Sequence, residues 1–286
     1  MKALFAGITT LDILYYTDDY PLEDSKLYVN EQLIHPGGMA ANAAFTFSAL
    51  GAEAYLWTCL GKEKPFTDLI LTRLTDANIN VRDLAIDNFP GVPAASVLIN
   101  DKNGSRTVLN RPKLISGGHL SGRHHLRDLE IDVLMVDGFY PEIALPLALE
   151  ANEKGIPVVM DSGSWKPGLE LLLETADYLI VGDAFRPPGI SDINDSLNYL
   201  KQFKIAGIAL TNGSAPLMAY SEAGSFSISP PDINCIDSLG AGDVLHGAFC
   251  YYLTLGHNFH DSLEQSINIA SISCQYRGTR SWINEI

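Results

Sequence analysis

The sequence predicts an α/β fold with a mostly parallel central sheet covered by helices. Three observations predict it. Apolar runs of strand length recur along all 286 residues. Several of these runs are continuous rather than alternating, as in strands buried on both faces. Stripes with helical spacing lie between them, the order expected of strand–helix–strand units.

The elements follow in chain order. Leu4–Ile8 reads as the first strand, because its apolar run is too short for a secretion signal and Asp12 soon follows. Ala40, Ala43, Ala44 and Phe47 fall at i, i+3, i+4 and i+7, one face of a helix. Further strands are read at Ala54–Leu60, Val97–Ile99, Val133–Val136, Val158–Met160, Tyr178–Val181 and Ile208–Leu210. A second helical stripe runs through Val244, Ala248, Tyr251, Tyr252 and Leu255. Ile13–Ile34 and Ala94–Arg111 alternate more in polarity. Within the second, Asn100-Asp101-Lys102-Asn103-Gly104 is a turn signal between Ala95–Ile99 and Arg106–Leu109. These segments are expected to form a small antiparallel sheet projecting from the body. Pro187-Pro188-Gly189 marks a surface loop. With no repeat and no long linker, the expectation is one domain over 1–286 with a β lid formed by about 13–34 and 94–113.

Composition narrows the function. There are 34 acidic and 19 basic residues, a net charge of −15. Such a field repels nucleic acid and anionic lipid, so neither is an expected partner. No 18 consecutive residues are apolar, which argues against a membrane span. Cys59, Cys235, Cys250 and Cys274 show no CxxC or metal spacing and read as thiols in a reducing, cytoplasmic setting. His119, His124 and His125 lack the spacing of a metal site, and His246 reads as helix packing.

The richest stretch is Asp237-Ser238-Leu239-Gly240-Ala241-Gly242-Asp243, directly before the second helical stripe. Small residues at a helix start let backbone amides approach an anion, and the helix end adds unpaired N–H groups and partial positive charge. A carboxylate beside that cradle, Asp243, is placed to take a proton from an attacking hydroxyl while the amides steady a transferring phosphoryl group. Taken alone, the turn also suits an ordinary strand-to-helix connection. Near the front, His35-Pro36-Gly37-Gly38-Met39-Ala40-Ala41-Asn42 pairs glycines, which let backbone approach a substrate, with Asn42, both donor and acceptor to a hydroxyl. Asp12 follows the first strand and offers a carboxylate that can accept two hydroxyl hydrogen bonds.

These stretches resemble the PfkB, or ribokinase-like, carbohydrate kinase family. Asp237 to Phe249 is similar to its C-terminal signature, commonly DTxGAGDxFxGA, with Leu245 in place of the phenylalanine. His35 to Ala44 is similar to its N-terminal GGxxxN-A motif. The resemblance implies a ribokinase-like three-layer α/β/α fold. It gives Gly240, Ala241 and Gly242 the anion hole and Asp243 the catalytic base. It gives Asp12, Gly38 and Asn42 the sugar. Lys26 and Asn110 are similar to lid residues of the fructose-type branch, which includes ketohexokinases and sulfofructose kinases, and are thereby implied to bind substrate, with Arg111 beside Asn110. Thr211-Asn212-Gly213 resembles the nucleotide-side loop, so Thr211 and Gly213 are cofactor candidates, with Asn268 at a place that often contacts adenosine. ATP and Mg²⁺ are the implied cofactors, a monovalent cation being left open, and a homodimer through the β lid is the implied assembly. One departure stands out. The family's N-x-x-E motif, which helps organise Mg²⁺, is replaced by Gly182-Asp183-Ala184-Phe185-Arg186, leaving Asp183 as the metal candidate.

The expected function is ATP-dependent phosphorylation of a sugar or sugar-derivative hydroxyl, a primary one. Two alternatives remain: a nucleoside kinase of the same fold, with Phe139 and Tyr140 as base-stacking candidates, and a catalytically weak sugar- or nucleotide-binding regulator.

Overall fold

The computed structural model describes every residue except 63, 86–88, 90, 111–124, 128 and 286. Arg111, His119, His124 and the 111–113 end of the expected lid therefore lie outside the described residues. Nine strands form one sheet in the order β13-β12-β11-β10-β9-β8-β1-β4-β5. They are β1 (Lys2–Ala6), β4 (Glu53–Thr58), β5 (Ile79–Asp83), β8 (Val133–Asp137), β9 (Val158–Ser162), β10 (Tyr178–Val181), β11 (Gly207–Asn212), β12 (Ala215–Ser221) and β13 (Gly224–Ile228). Pairings from β5 across to β11 are parallel, and the β11–β12–β13 edge is antiparallel.

Alternation along each strand divides the core in two. Phe5, Leu56, Met135, Val159 and Ile180 face one layer, packed with helices α1 (Met39–Ala49), α2 (Lys64–Asp76), α6 (Ala241–Thr254) and α7 (Phe259–Ser273). Leu4, Trp57, Leu134, Met160 and Leu179 face the other, under α3 (Pro141–Glu153), α4 (Leu169–Leu173) and α5 (Ile193–Leu200). This is why the runs read as continuous: both neighbours in the chain are buried, on opposite sides. The result is a three-layer α/β/α body.

The second sheet is the lid, β3-β2-β6-β7, from β2 (Thr10–Thr17), β3 (Glu31–Gly37), β6 (Ala94–Asn100) and β7 (Arg106–Asn110). Its own small core holds Leu14, Tyr16, Ala95, Val97 and Ile99. Two expectations need correction. The first lid strand begins at Thr10, so Asp12 is a lid residue rather than part of a loop before the lid. And the lid is mixed rather than purely antiparallel, because β2 and β6 run parallel. The strand at the front ends at Ala6, because the Ile8 amide leaves the ladder to donate to Asp137 Oδ2 at 2.7 Å. The Asn100–Gly104 turn is present, with the Gly104 amide donating to the Asn100 carbonyl at 2.8 Å.

Strand order changes direction at β1, which pairs with β4 on one side and β8 on the other. The crevice beyond the carboxyl ends of such strands is where open α/β sheets place their sites. Asp137, Asp161 and the start of α6 stand there.

Candidate active site

The start of α6 has the form the sequence suggests. Gly240 takes φ +71°, the left-handed conformation that glycine adopts without penalty, and no side chain caps the helix. A Cβ at Gly240 would sit 2.8 Å from Thr279 Cγ2. The Ala241 amide makes a long contact with the Ser238 carbonyl, 3.4 Å, and the Val244 amide donates to Gly240. Among the described residues, the amides of Gly240, Gly242 and Asp243 have no acceptor. The open donors are thus those three, Asp243's own amide among them, with Ala241's partly engaged.

Asn42 lies on α1 and is 3% exposed. Its Nδ2 donates to Asp243 Oδ2 at 2.6 Å, joining the two motifs across the helix pair. The pair can approach because of Gly247: a Cβ there would be 2.3 Å from the Ala43 carbonyl oxygen. Asn42 Oδ1 accepts from Arg280 Nη2 at 2.7 Å, and the same nitrogen donates to the Pro36 carbonyl at 2.9 Å. Arg280 Nη1 donates to the Thr279 carbonyl and Oγ1, and its Cζ stands 3.6 Å from the centre of the Phe45 ring.

Asp12 Oδ1 accepts from Thr10 Oγ1 at 2.6 Å. Gly37 makes room for this carboxylate, since a Cβ there would lie 1.9 Å from Asp12 Oδ2. Gly38, at φ +94°, starts α1 against the Ile8 carbonyl. Burial raises the Asp12 carboxyl above the ordinary range, against Thr10 and the Arg280 charge. Asp243 is pushed up to about 6, first by burial and then by the Asp12 charge, while the Asn42 hydrogen bond, Arg280 and Arg106 pull the other way. Burial presses on Arg280 as well, but a guanidinium stays charged, so it stands as a fixed cation between two carboxylates.

The structure brings Asp243, Asn42, Gly38 and Asp12 together. Asn110 joins them by register: His35, Asp12, Ala95 and Asn110 form one row across the lid, placing Asn110 two strands from Asp12, about 10 Å away. Lys26 is not brought in. It lies on the exposed segment between β2 and β3, with its ammonium 5.1 Å from the Tyr28 ring centre. Thr211 leaves β11 beside the exit of β10, where Val181 pairs with Leu210, and its Oγ1 donates to the Val181 carbonyl. Gly213 turns the β11–β12 hairpin at φ +54°. Asn268 is exposed on α7.

Asp183 stands exposed just beyond β10, and its carboxylate makes no hydrogen bond or ion pair among the described residues. A free carboxylate there suits an outer-sphere, water-mediated contact to a divalent cation held mainly by nucleotide phosphates.

The second sheet is fastened to the loop before α6. Tyr16 Oη donates to Asp237 Oδ2 at 2.6 Å, and Asp237 also takes the amides of Leu239 and Gly278. Arg106 of β7 reaches Ser238 Oγ at 2.7 Å, and Arg277 pairs with Glu31 at 2.8 Å and Asp101 at 2.7 Å.

Sequence reasoning missed Arg280. It belongs to no motif, and only folding brings it to Asn42. It also cast Phe139 and Tyr140 as stacking candidates, yet Tyr140 is 2% exposed and Lys166 Nζ covers the Phe139 ring at 4.4 Å. His125 is a surface partner of Glu150, 3.3 Å away.

Comparison with known proteins identifies the family. Residues 2–285 match the model of the pfkB family of carbohydrate kinases. Mouse ketohexokinase is 21% identical, over 97% of each chain. An ATP-dependent ribose-1-phosphate kinase from Halopiger xanaduensis is 23% identical, over 98% of this chain and 94% of its own. Among solved structures, one from Agrobacterium tumefaciens superposes with a TM-score of 0.85 at 21% identity, covering 99% of this chain and 97% of that one. Ribokinase from Giardia lamblia gives 0.77 at 15% identity, covering 99% of both. No helix among the described residues is long and apolar enough to cross a membrane. The fold is that of the ribokinases, and the chain belongs to the pfkB family of carbohydrate kinases.

Proposed function

We propose that the protein transfers the γ-phosphoryl group of ATP to a hydroxyl, a primary one, of a sugar or sugar derivative, with Asp243 as the base. The observation that carries this reading is the position of Asp243. It sits in the first turn of α6, among free amides, and is held by Asn42 from the other motif.

The chemistry follows from the groups present. Asp12, Asn110 and the Gly38 backbone line the acceptor side. Asp243 Oδ2 is engaged by Asn42, so Oδ1 receives the hydroxyl proton. The freed oxygen attacks the γ-phosphorus as the bond to the bridging oxygen of ADP breaks. The amides of Gly240, Ala241, Gly242 and Asp243 meet the oxygens of the phosphoryl group in transit. Thr211, Gly213 and Asn268 belong to the nucleotide side. Asp183 would reach a Mg²⁺ ion through water, and that ion, held mainly by the ATP phosphates, would supply charge neutralisation. The lid covers the acceptor and keeps water from competing.

Two features support a homodimer through the lid. Among the described residues β7 is an edge strand, and Val108 and Leu109 on it are 48% and 60% exposed. The covered Phe139 ring weighs against base stacking and so against a nucleoside acceptor.

The test is ADP release with ATP and Mg²⁺ over ketoses, aldoses, sugar phosphates, sulfosugars and nucleosides. Acceptor-dependent turnover with a sugar-class compound supports the reading. Turnover confined to nucleosides replaces the acceptor, and ATP binding with no turnover on any acceptor moves the chain to the regulator reading.

A further inference from the structure

His246 lies on α6 three residues beyond Asp243, and is 4% exposed. Its Nδ1 is 2.7 Å from the Gly242 carbonyl oxygen, and its Nε2 is 3.1 Å from the Ile180 carbonyl oxygen on β10. Nδ1 is also 3.3 Å from Oδ2 of Asp161 on β9, a carboxylate 3% exposed. Among the described residues that Oδ2 has no hydrogen-bond partner. Carbonyl oxygens only accept. Each ring nitrogen therefore faces an acceptor, and only a ring protonated on both satisfies the two together.

Burial presses both side chains toward their neutral forms. One proton shared between them meets that demand, because the pair is net neutral wherever the proton sits. On Asp161 it would leave one ring nitrogen bare: in the Nδ1–H tautomer the Nε2 lone pair faces the Ile180 oxygen, and in the Nε2–H tautomer the Nδ1 lone pair faces the Gly242 oxygen at 2.7 Å. On Nε2 it is bonded.

We propose that Asp161 and His246 form a buried carboxylate–imidazolium pair that positions the first turn of α6, and with it Asp243, against β9 and β10. The inference rests on the kinase reading for its functional half. The Gly242 carbonyl and the Asp243 amide belong to one peptide unit. A charged donor on that carbonyl polarises the unit and makes the Asp243 N–H a stronger anion donor. The same ring ties the turn to β10, three residues before Asp183. The other charged or titratable groups facing the pair are Asp243 on α6, Asp137 on β8, Lys166 after β9 and Cys250 one turn further along α6. Lys166 opposes the added negative charge of Asp137 and Asp161.

The test is nitrogen NMR of the histidine rings in the full chain, with His246→Phe identifying the signal among the seven histidines. The expected wild-type result is a His246 ring protonated on both nitrogens through neutral and mildly alkaline pH. In Asp161→Asn, which keeps the volume, the second proton is lost and the Asp243 amide signal moves. In the same variant kcat falls about tenfold, with the KM values for ATP and acceptor changed by less than about twofold. A neutral His246 ring in the wild type overturns the pair. A changed ring with an unmoved Asp243 amide and an unchanged kcat overturns the positioning role. Absence of turnover in the wild type would count against the kinase reading alone, since the ring and amide signals still judge the pair.

Discussion

Asn42 Nδ2 stands 2.6 Å from Asp243 Oδ2, although 201 positions separate the two residues in the chain. This bond joins α1 to the first turn of α6, and so the motif proposed to hold the sugar to the proposed base. Asn42→Ala removes a donor from a buried carboxylate and leaves Arg280 without its Oδ1 acceptor. The expected result is a fall in kcat/KM of about tenfold or more, each tenfold being about 1.4 kcal/mol. Steady-state kinetics with nucleotide binding followed separately checks it.

The pH profile should carry the signature of a buried base. Asp243 must be ionised to accept the proton, and its pKa is raised to about 6, chiefly by burial. As pH falls through that value the base is protonated and kcat/KM declines. Arg280 favours the ionised form. Arg280→Gln removes that charge, so the acid limb is expected to move to higher pH. A limb that stays in place or moves down contradicts the electrostatic role given to Arg280.

Gly247→Ala tests the close crossing of α1 and α6. The added methyl would meet the Ala43 carbonyl oxygen at 2.3 Å and Thr46 Cβ at 2.7 Å. Overpacking of this kind costs about 1–3 kcal/mol. A lower melting temperature is expected, together with reduced kcat as Asn42 and Asp243 separate.

Tyr16→Phe tests the lid fastening. Tyr16 is fully buried and its hydroxyl serves Asp237, itself 2% exposed. Asp237 keeps the amides of Leu239 and Gly278, so the catalytic loop should hold its shape. The expected outcome is a loss of about 1–3 kcal/mol in denaturant unfolding and faster hydrogen exchange in β2.

What could be read from the sequence was what is written locally. The glycine turn before α6 and most strand runs of the parallel sheet are set by near neighbours and appear close to where expected, though the first strand ends at Ala6 and β5 was not read. The β12–β13 edge was not read, because Pro216 interrupts β12 near its start, β13 alternates serine with apolar residues, and each strand buries only a few residues. The start of β2 at Thr10 was hidden for a related reason, since its pairing with β3 and β6 depends on distant partners. Arg280 and Tyr16 owe their place in the site to contacts across more than 200 residues, which no local spacing encodes.

The most direct test of the central claim is acceptor-dependent ADP release by Asp243→Asn beside the wild type, with ATP binding measured on both. The substitution keeps the shape of the side chain and removes the base. Turnover is expected to fall by about 10²–10⁴ while ATP binding is retained. Wild-type turnover in the variant would contradict it, and would move the proton acceptor away from Asp243.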